Sequence, residues 1–360
     1  MMREIFARDY RSEEERRAWV RLFEALETRR AVLGTNDWAQ SVGSLIKLEY
    51  FIDDFTKASE FCGRPVIRST EAKREVLTLS TVVVGRPLSA REVLRRSVTS
   101  HLDYFSFFKH TKLPVKPVQY ISDPVDWSFG PDAALTRLRS LLHDEISIET
   151  LDRIVAFRRD FNLESMTVFA DLQKRQYFED FVRLASNDVF LDVGAFDGYT
   201  TEYLRRRYGN EIMCHLFEPS PRMANILRKK FSADTRLAVH EYALGSTMET
   251  ATLVDDGSGS HVGAGAIPIQ IRPLDAFNLE RVDFVKVDIE GSEESFIDGA
   301  RKTLERCQPQ VAIACYHSNS QLCGVFSMMH EVMPDARVFL RHYTEGFAET
   351  DLFFIPQRFW

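Results

Sequence analysis

The sequence predicts an α/β protein in which a doubly wound C-terminal sheet, mostly parallel with an antiparallel C-terminal hairpin, follows a smaller α/β domain. Three observations lead there. Short apolar runs alternate with helix-period segments in both halves of the chain, the rhythm of strands joined by crossover helices. The run "VFLDV" ends in an acid and breaks into the turn "GAFDG" before another helix-like segment. The chain has 360 residues, of which 44% are hydrophobic, enough for two cores.

In order, residues 1–30 are expected to form an N-terminal helix, 31–120 a smaller domain, 121–185 a helical connector and 186–360 the larger domain. The helix is read from "SEEERRAWVRLFEALETRR", which starts at a serine, has acids in its first turn and places Trp19, Leu22, Phe23 and Leu26 at helical spacing. "AVLGTNDWAQSVGSLI" reads as strand, turn and helix, followed by strands in "LEYFIDD" and "LTLSTVVVG". Beyond Pro124, Gly130 and Pro131, "AALTRLRSLLHDE" and "IETLDRIVAFRRDF" are helix-like with no strand between them. Strands and helices then follow: a strand to Val193, a helix to Tyr208, strand "IMCHLF", helix "SPRMANILRKKF", strands "RLAVHEYAL" and "VDFVKVDIE", helix "EESFIDGARKTL" and strand "QVAIACYH". "ARVFLRHY" and "TDLFFIP" close the chain as two strands near enough to pair.

A net charge of −7 and a pI of about 5.8 argue against a protein that grips nucleic acid through a phosphate-neutralising face, and favour small molecules or glycans as partners. Cys62, Cys214, Cys307, Cys315 and Cys323 are odd in number and never spaced C-x-x-C, so neither a disulfide framework nor a zinc site is expected. A reducing cytoplasm fits. The start "MMREIFARDYRSEEERR" is charged where a signal peptide needs an apolar stretch, and no run is long enough for a membrane span.

In a doubly wound sheet the ligand lies beyond the carboxyl ends of the strands, so Asp192 to Gly198 marks a pocket. Gly194 and Gly198 let the backbone pass close to a ligand, but Ala195 and Phe196 stand where a dinucleotide fingerprint wants glycine. A carboxylate at Asp192 repels a pyrophosphate and welcomes a cation. Glu218, 24 positions after Gly194, ends the next strand where an acid can accept bonds from both ribose hydroxyls. A ribose, an adenine and a cationic tail together describe S-adenosylmethionine. Each acid also has a simpler reading as a turn or helix cap, Asp197 and Ser220 especially.

From about Gln176 onward, "QYFEDFV", "VFLDVGAFDGYT", "FEPSP", "YALGS", "VDFVKVDIEGSEESFIDGA", "YHS" and "FLRHY" occur in an order that resembles the FkbM-family methyltransferases, which have a class I S-adenosylmethionine-dependent fold. The resemblance implies that Asp192, Gly194 and Asp197, with Ala195 and Gly198 of the same turn, line the methionine end. It implies that Glu218 binds the ribose and that Glu241, Tyr242 and Ala243 border the adenine. It also implies O-methylation of sugars, glycoconjugates or polyketide-type products.

Lys286, Asp288 and Glu290 alternate with Val285, Val287 and Ile289 and must pair, meet a ligand or lie at an open strand end. Asp288, Glu290 and His317, all at the carboxyl edge, are the candidate catalytic residues, each a possible general base for a hydroxyl acceptor. Paired carboxylates can also hold a divalent metal, but the spacing does not demand one and no metal ligand is assigned. His261 lies in the Gly/Ser-rich "DDGSGSHVGAG", a loop that either closes over substrate or joins two strands. The first domain resembles a degenerate Rossmann unit: Gly34 holds the first glycine place, Asn36 and Ala39 replace the others, and Asp53 keeps a sugar-nucleotide or dinucleotide reading open. The alternatives to an enzyme are a donor-binding sensor or scaffold, or a nucleotide-binding protein acting through that first domain.

Overall fold

The computed structural model describes residues 12–121, 131–254 and 257–360; the expectations placed on residues 1–11, Pro124, Gly130, Asp255 and Asp256 lie outside them. The chain divides into two compact units. One comprises residues 1–122, 152–171 and 344–347, and the other residues 123–151, 172–343 and 348–360.

In the first unit, helix α1 (Glu13–Glu24) opens with a capping box: the Ser12 side chain accepts the Glu15 N–H while Glu15 accepts the Ser12 N–H. It ends short of Arg30 because Ala25 turns extended. There follow β1 (Arg30–Leu33), α2 (Asp37–Leu45), β2 (Phe51–Ile52), β3 (Glu60–Phe61), β4 (Arg64–Ile67), β5 (Leu77–Ser80), α3 (Pro87–Ser97), β6 (His101–Asp103) and α4 (Tyr104–His110). They build a sheet of order β3-β4-β2-β1-β5-β6, parallel except for β3 against β4. The apolar run after β5 does not stay extended: Val82–Val84 form a 3₁₀ turn.

Helices α5 (Pro131–Leu141) and α6 (Glu145–Asp160) follow, α6 being divided between the units at residue 151. The second unit then alternates β7 (Val189–Val193), α7 (Tyr199–Tyr208), β8 (Met213–Phe217), α8 (Pro221–Lys230) and β9 (Leu237–His240). An insertion of β10 (Ala243–Leu244), β11 (Glu249–Val254), β12 (His261–Val262) and β13 (Ile267–Arg272) precedes β14 (Phe284–Val287), α9 (Glu293–Cys307), β15 (Gln310–Ala314), α10 (Gln321–Val332), β16 (Arg337–His342) and β17 (Thr350–Ile355). The main sheet has the order β16-β17-β15-β14-β7-β8-β9, with β17 antiparallel to both its neighbours and the rest parallel. Chain order reverses between β7 and β14, so the ends of these two strands mark the switch point.

The run from Arg236 to Leu244, read as one strand, is two: β9 stays in the main sheet while β10 leaves it for a second sheet of order β10-β13-β11-β12. The loop holding His261 is a short strand of that sheet, His261 pairing with Val254. Phe190, Leu191 and Val193 of β7 and Phe284, Val285 and Val287 of β14 are buried, as central parallel strands require when helices cover both faces. Among the described residues no helix is long and apolar enough to cross a membrane.

Helix α9 lies against the chain leaving β10 so closely that a Cβ on Gly299 would sit 1.9 Å from the Gly245 carbonyl oxygen. Both atoms belong to backbone, so Gly299→Ala is expected to destabilise the protein by roughly 1–3 kcal/mol, read as a loss of several degrees in Tm. An unchanged Tm would mean that the helix can shift.

Candidate active site

Two cavities open at the switch point of the second unit, and they share Gly194, Phe196, Asp288 and Glu290 in their walls. The first, of about 220 Å³, is lined by Glu218 and Ser220 after β8, by Tyr242, Ala243 and Leu244, and by Ser260 and His261 of the insertion. Phe217, Met223, Leu253, Val262 and Ile271 make much of it apolar. The second, of about 320 Å³, is lined by Gln176 and Tyr177, by the turn Gly194–Asp197, and by Lys286, Asp288, Glu290, Tyr316 and Glu349.

The turn after β7 is held from beneath. Lys286 is buried on β14, and its Nζ donates to the Gly194 carbonyl at 2.6 Å and to the Val193 carbonyl at 3.3 Å. It lies 3.4 Å from Asp192 Oδ1. Asp192 Oδ2 accepts the Thr201 hydroxyl of α7 at 2.8 Å. Asp192 is therefore wholly buried behind the turn and lines neither cavity. Burial pushes its carboxyl up, against the pull of Lys286. Gly194 has φ +79, and a Cβ there would lie 1.9 Å from the Asp288 carbonyl oxygen, so only glycine lets the turns after β7 and β14 approach this closely.

Glu218 sits at the floor of the first cavity. Its oxygens accept the backbone N–H groups of Phe196 and Ser220, each at 2.9 Å, which leaves lone pairs for a further donor. Burial pushes it up to about 6, those two bonds opposing. Ser220 also caps α8 by accepting the Met223 N–H. Asp197 faces the second cavity and accepts the Tyr199 N–H at 2.9 Å, so capping and lining coexist. Ala195 lines the second cavity, while Gly198 packs against Phe231 and Leu227. Tyr242 and Ala243 border the first cavity; Glu241 pairs with Arg228 at 2.8 Å and faces neither.

Asp288 and Glu290 stand in the turn beyond β14, at the boundary of the two cavities. Tyr177 donates its hydroxyl to Asp288 Oδ2 at 2.7 Å. His317, almost without exposure, lies 3.6 Å from Asp288 Oδ1 and 3.4 Å from Glu290 Oε2 through Nε2, and 3.1 Å from Glu293 Oε1 through Nδ1. Burial favours the neutral ring, but Glu293, Asp288 and Glu290 outweigh it and push His317 up to about 9. That shift favours the imidazolium at neutral pH over the neutral ring that a base at this position requires. His317 lines neither cavity and faces three carboxylates.

Asp288, Glu293 and His317 each bring one potential ligand atom within 4.8 Å of the others. Of the three, Glu293 accepts the Ile289 N–H through Oε1 and the Gln321 amide through Oε2. In the first unit, Asn36 caps α2 through the Ala39 N–H. The Asp53 carboxylate is taken up by the Thr35 hydroxyl and by the N–H groups of Phe55 and Thr56, so the acid a nucleotide ribose would need is used locally.

Sequence reasoning missed Gln176, Glu349 and Asp351 as site residues. A signal existed for Asp351, an acid inside the apolar run "TDLFFIP". The other two are local polar residues with no periodicity to mark them.

A sheet of this order with these cavities at its switch point defines a class I methyltransferase fold. Residues 192–345 match the family model described as the methyltransferase FkbM domain. The crystal structure of methyltransferase FkbM from Methylobacillus flagellatus KT is similar over 95% of this chain and 98% of that one, with 22% identity and a TM-score of 0.71, which establishes a shared fold. Aeropyrum pernix fibrillarin, solved with natively bound S-adenosyl-L-methionine, matches at 10% identity over 51% of this chain and 71% of its own. Its TM-score of 0.34 is too low to bear on function. No curated protein matches in sequence.

His317 also fixes a pH dependence of stability. Its folded-state value of about 9 exceeds the ordinary 6.5, so its contribution is fully present below pH 6.5 and is lost as pH rises through 9. That contribution is on the order of 3 kcal/mol. The gap in urea midpoint between wild type and His317→Gln should be wide near pH 6 and narrow near pH 9.5; a gap independent of pH would refute the charged state.

Proposed function

We propose that this chain transfers a methyl group from S-adenosylmethionine to a hydroxyl oxygen of a sugar, glycoconjugate or related secondary product. The observation that carries the reading is the common wall of the two cavities, where Asp288 and Glu290 stand between a nucleoside-sized slot and a hydrogen-bonding chamber. Glu218 would accept from the ribose, Tyr242, Ala243 and Leu244 would border the adenine, and Gly194, Ala195 and Asp197 would face the methionine end. The slot suits that donor: its walls are apolar apart from a floor carboxylate with lone pairs to spare, and at Gly194 the backbone itself borders the space. When bound, the donor supplies a methyl carbon on a sulfonium, a centre that attack by an oxygen displaces as a neutral thioether.

The chain's part is alignment, which contributes most of the rate in such transfers. Asp288, fixed by Tyr177 and His317, and Glu290, facing His317, hold the acceptor hydroxyl at the boundary of the cavities. Carboxylates in the second cavity accept from hydroxyls and repel anions, so neutral or amine-bearing acceptors are favoured over phosphorylated ones. All five cysteines are free thiols, which agrees with action in the cytoplasm. The acidic chain again favours a small-molecule or glycan acceptor over nucleic acid.

Calorimetric titration with S-adenosylhomocysteine tests the donor site directly. Wild type should bind saturably, and Glu218→Ala should weaken binding by roughly 10- to 100-fold, the worth of hydrogen bonds to a charged acceptor. Affinity should also fall below about pH 6, where Glu218 protonates. Equal affinity in the variant would remove the basis of this reading.

A further inference from the structure

The second cavity has a carboxylate that lies beyond the strand-end acids. Glu349 immediately precedes β17, with a left-handed backbone at φ +67. Ten described residues other than glycine have such a backbone, and four of them, Tyr177, Phe196, Glu290 and Glu349, line this one cavity. Conformations of this kind are strained and persist where the surroundings over-determine them, characteristically at active sites. At Glu349 the surroundings are visible: its carbonyl accepts the Tyr343 N–H at 3.0 Å, and its Oε2 lies 2.7 Å from Gln176 Nε2.

That amide is over-subscribed. Gln176 Nε2 also lies 3.1 Å from Asp351 Oδ2 and 3.0 Å from the Tyr177 hydroxyl, with two hydrogens for three acceptors. Asp351 is wholly buried, its Oδ1 has no hydrogen-bond partner, and it lines neither of the two cavities. The acids that do line the second cavity differ in their company. Asp288 and Glu290 both face the His317 imidazolium, and Asp197 is a helix cap at the rim. Among the described residues no cation lies within 4 Å of Glu349, which borders the cavity half-buried.

We infer that Glu349 takes up the proton of the acceptor hydroxyl, while Asp288 and Glu290 orient that hydroxyl. The inference rests on the O-methyl reading above. In the step the O–H bond breaks, the proton goes to a Glu349 carboxylate oxygen, and the pair left on oxygen forms the bond to the methyl carbon of a sulfonium donor. The carbon–sulfur pair stays on sulfur.

The electrostatics agree. Burial, with Asp288 and Glu290 on the turn after β14, pushes Glu349 up to about 7, opposed by the Gln176 amide and by His317. Asp351 on β17 and the hydroxyls of Tyr177 and Tyr316 also face it, and Asp351 is itself held well above the usual carboxylate range. Lys286 on β14 pulls on Asp351 in the other direction. A base poised near the working pH combines a useful ionised fraction with proton affinity.

Two readouts test the assignment. Infrared difference titration of the ligand-free chain from about pH 5 to about pH 9 should show a protonated-carboxyl band lost with a midpoint near 7, absent from Glu349→Gln. With S-adenosylmethionine and a panel of methyl hexopyranosides, wild-type kcat should fall below pH 7. Glu349→Gln should lower kcat by roughly 10²- to 10⁴-fold while leaving S-adenosylhomocysteine affinity intact, which also reports folding. Glu349→Asp should recover part of kcat and the acid limb. A variant that keeps wild-type kcat, or keeps the neutral-pH band, overturns the assignment alone. A wild type that binds S-adenosylhomocysteine but methylates no hydroxyl overturns the O-methyl reading and this inference with it.

Discussion

An ammonium group with almost no contact with water lies beneath the turn that follows β7. Lys286 could not be placed there without compensation, because stripping an ion of water costs several kcal/mol. The compensation comes from Asp192 across the strand pair, from the carbonyls of Val193 and Gly194, and from the Tyr177 ring 5.5 Å away. Asp192 and Asp288 outweigh burial and keep the lysine charged. Each partner is thereby fixed in turn. The Gly194 carbonyl is drawn inward, Asp192 ties β7 to the first turn of α7 through Thr201, and β14 is locked to β7 at the level where both cavities open. Asp192 thus pairs, from a buried position behind the turn, with the lysine that shapes it.

The charges around the second cavity extend the same constraint. Asp288, Glu290, Glu293, Glu349 and Asp351 converge there, and the buried cations that face them are Lys286 and the His317 imidazolium. So many carboxylates cannot all ionise in a low dielectric. The structure divides them: Glu293 is bonded on both oxygens, Asp288 and Glu290 share His317, and Asp351 is pushed toward its protonated form. What remains is a chamber with residual negative character beside a largely apolar slot of about 220 Å³. A cationic centre entering at the shared wall would relieve that excess.

Much of this was legible in the sequence, because strand ends are marked by the coincidence of an apolar run, an acid and a turn. That signal located Gly194, Glu218 and Asp288, and the spacing of apolar runs gave the doubly wound order and the terminal hairpin. The sequence did not reveal that β10 leaves the main sheet, because "RLAVHEYAL" is continuously strand-like and the break at Glu241–Tyr242 is decided by pairing with β13, a tertiary preference. Nor did it reveal the state of His317: a histidine after a strand looks the same whether water or three carboxylates surround it, and the three come from the β14 turn and α9. Glu349 was hidden for the same reason, since its partners Gln176 and Tyr177 lie far away in sequence.

Tyr177, Phe196 and Glu349 have a backbone that departs from local preference, and this follows from what the site must do. A strand or helix aims its side chains and N–H groups in fixed directions, so a group needed elsewhere requires a bend that ordinary residues resist. Phe196, at φ +45, pays for its conformation by directing its N–H onto Glu218, so that the floor carboxylate of the first cavity is oriented from the turn of β7. Tyr177, at φ +68, brings its hydroxyl to Asp288, and Glu349 meets the same Gln176 amide from the opposite end of the domain. The strain is tolerable because the flanking strands β7, β14 and β17 are buried and cross-paired. Local disagreement with sequence preference is concentrated where the core is firm enough to impose it, and there it aims polar groups into a space that regular structure alone would leave to apolar side chains.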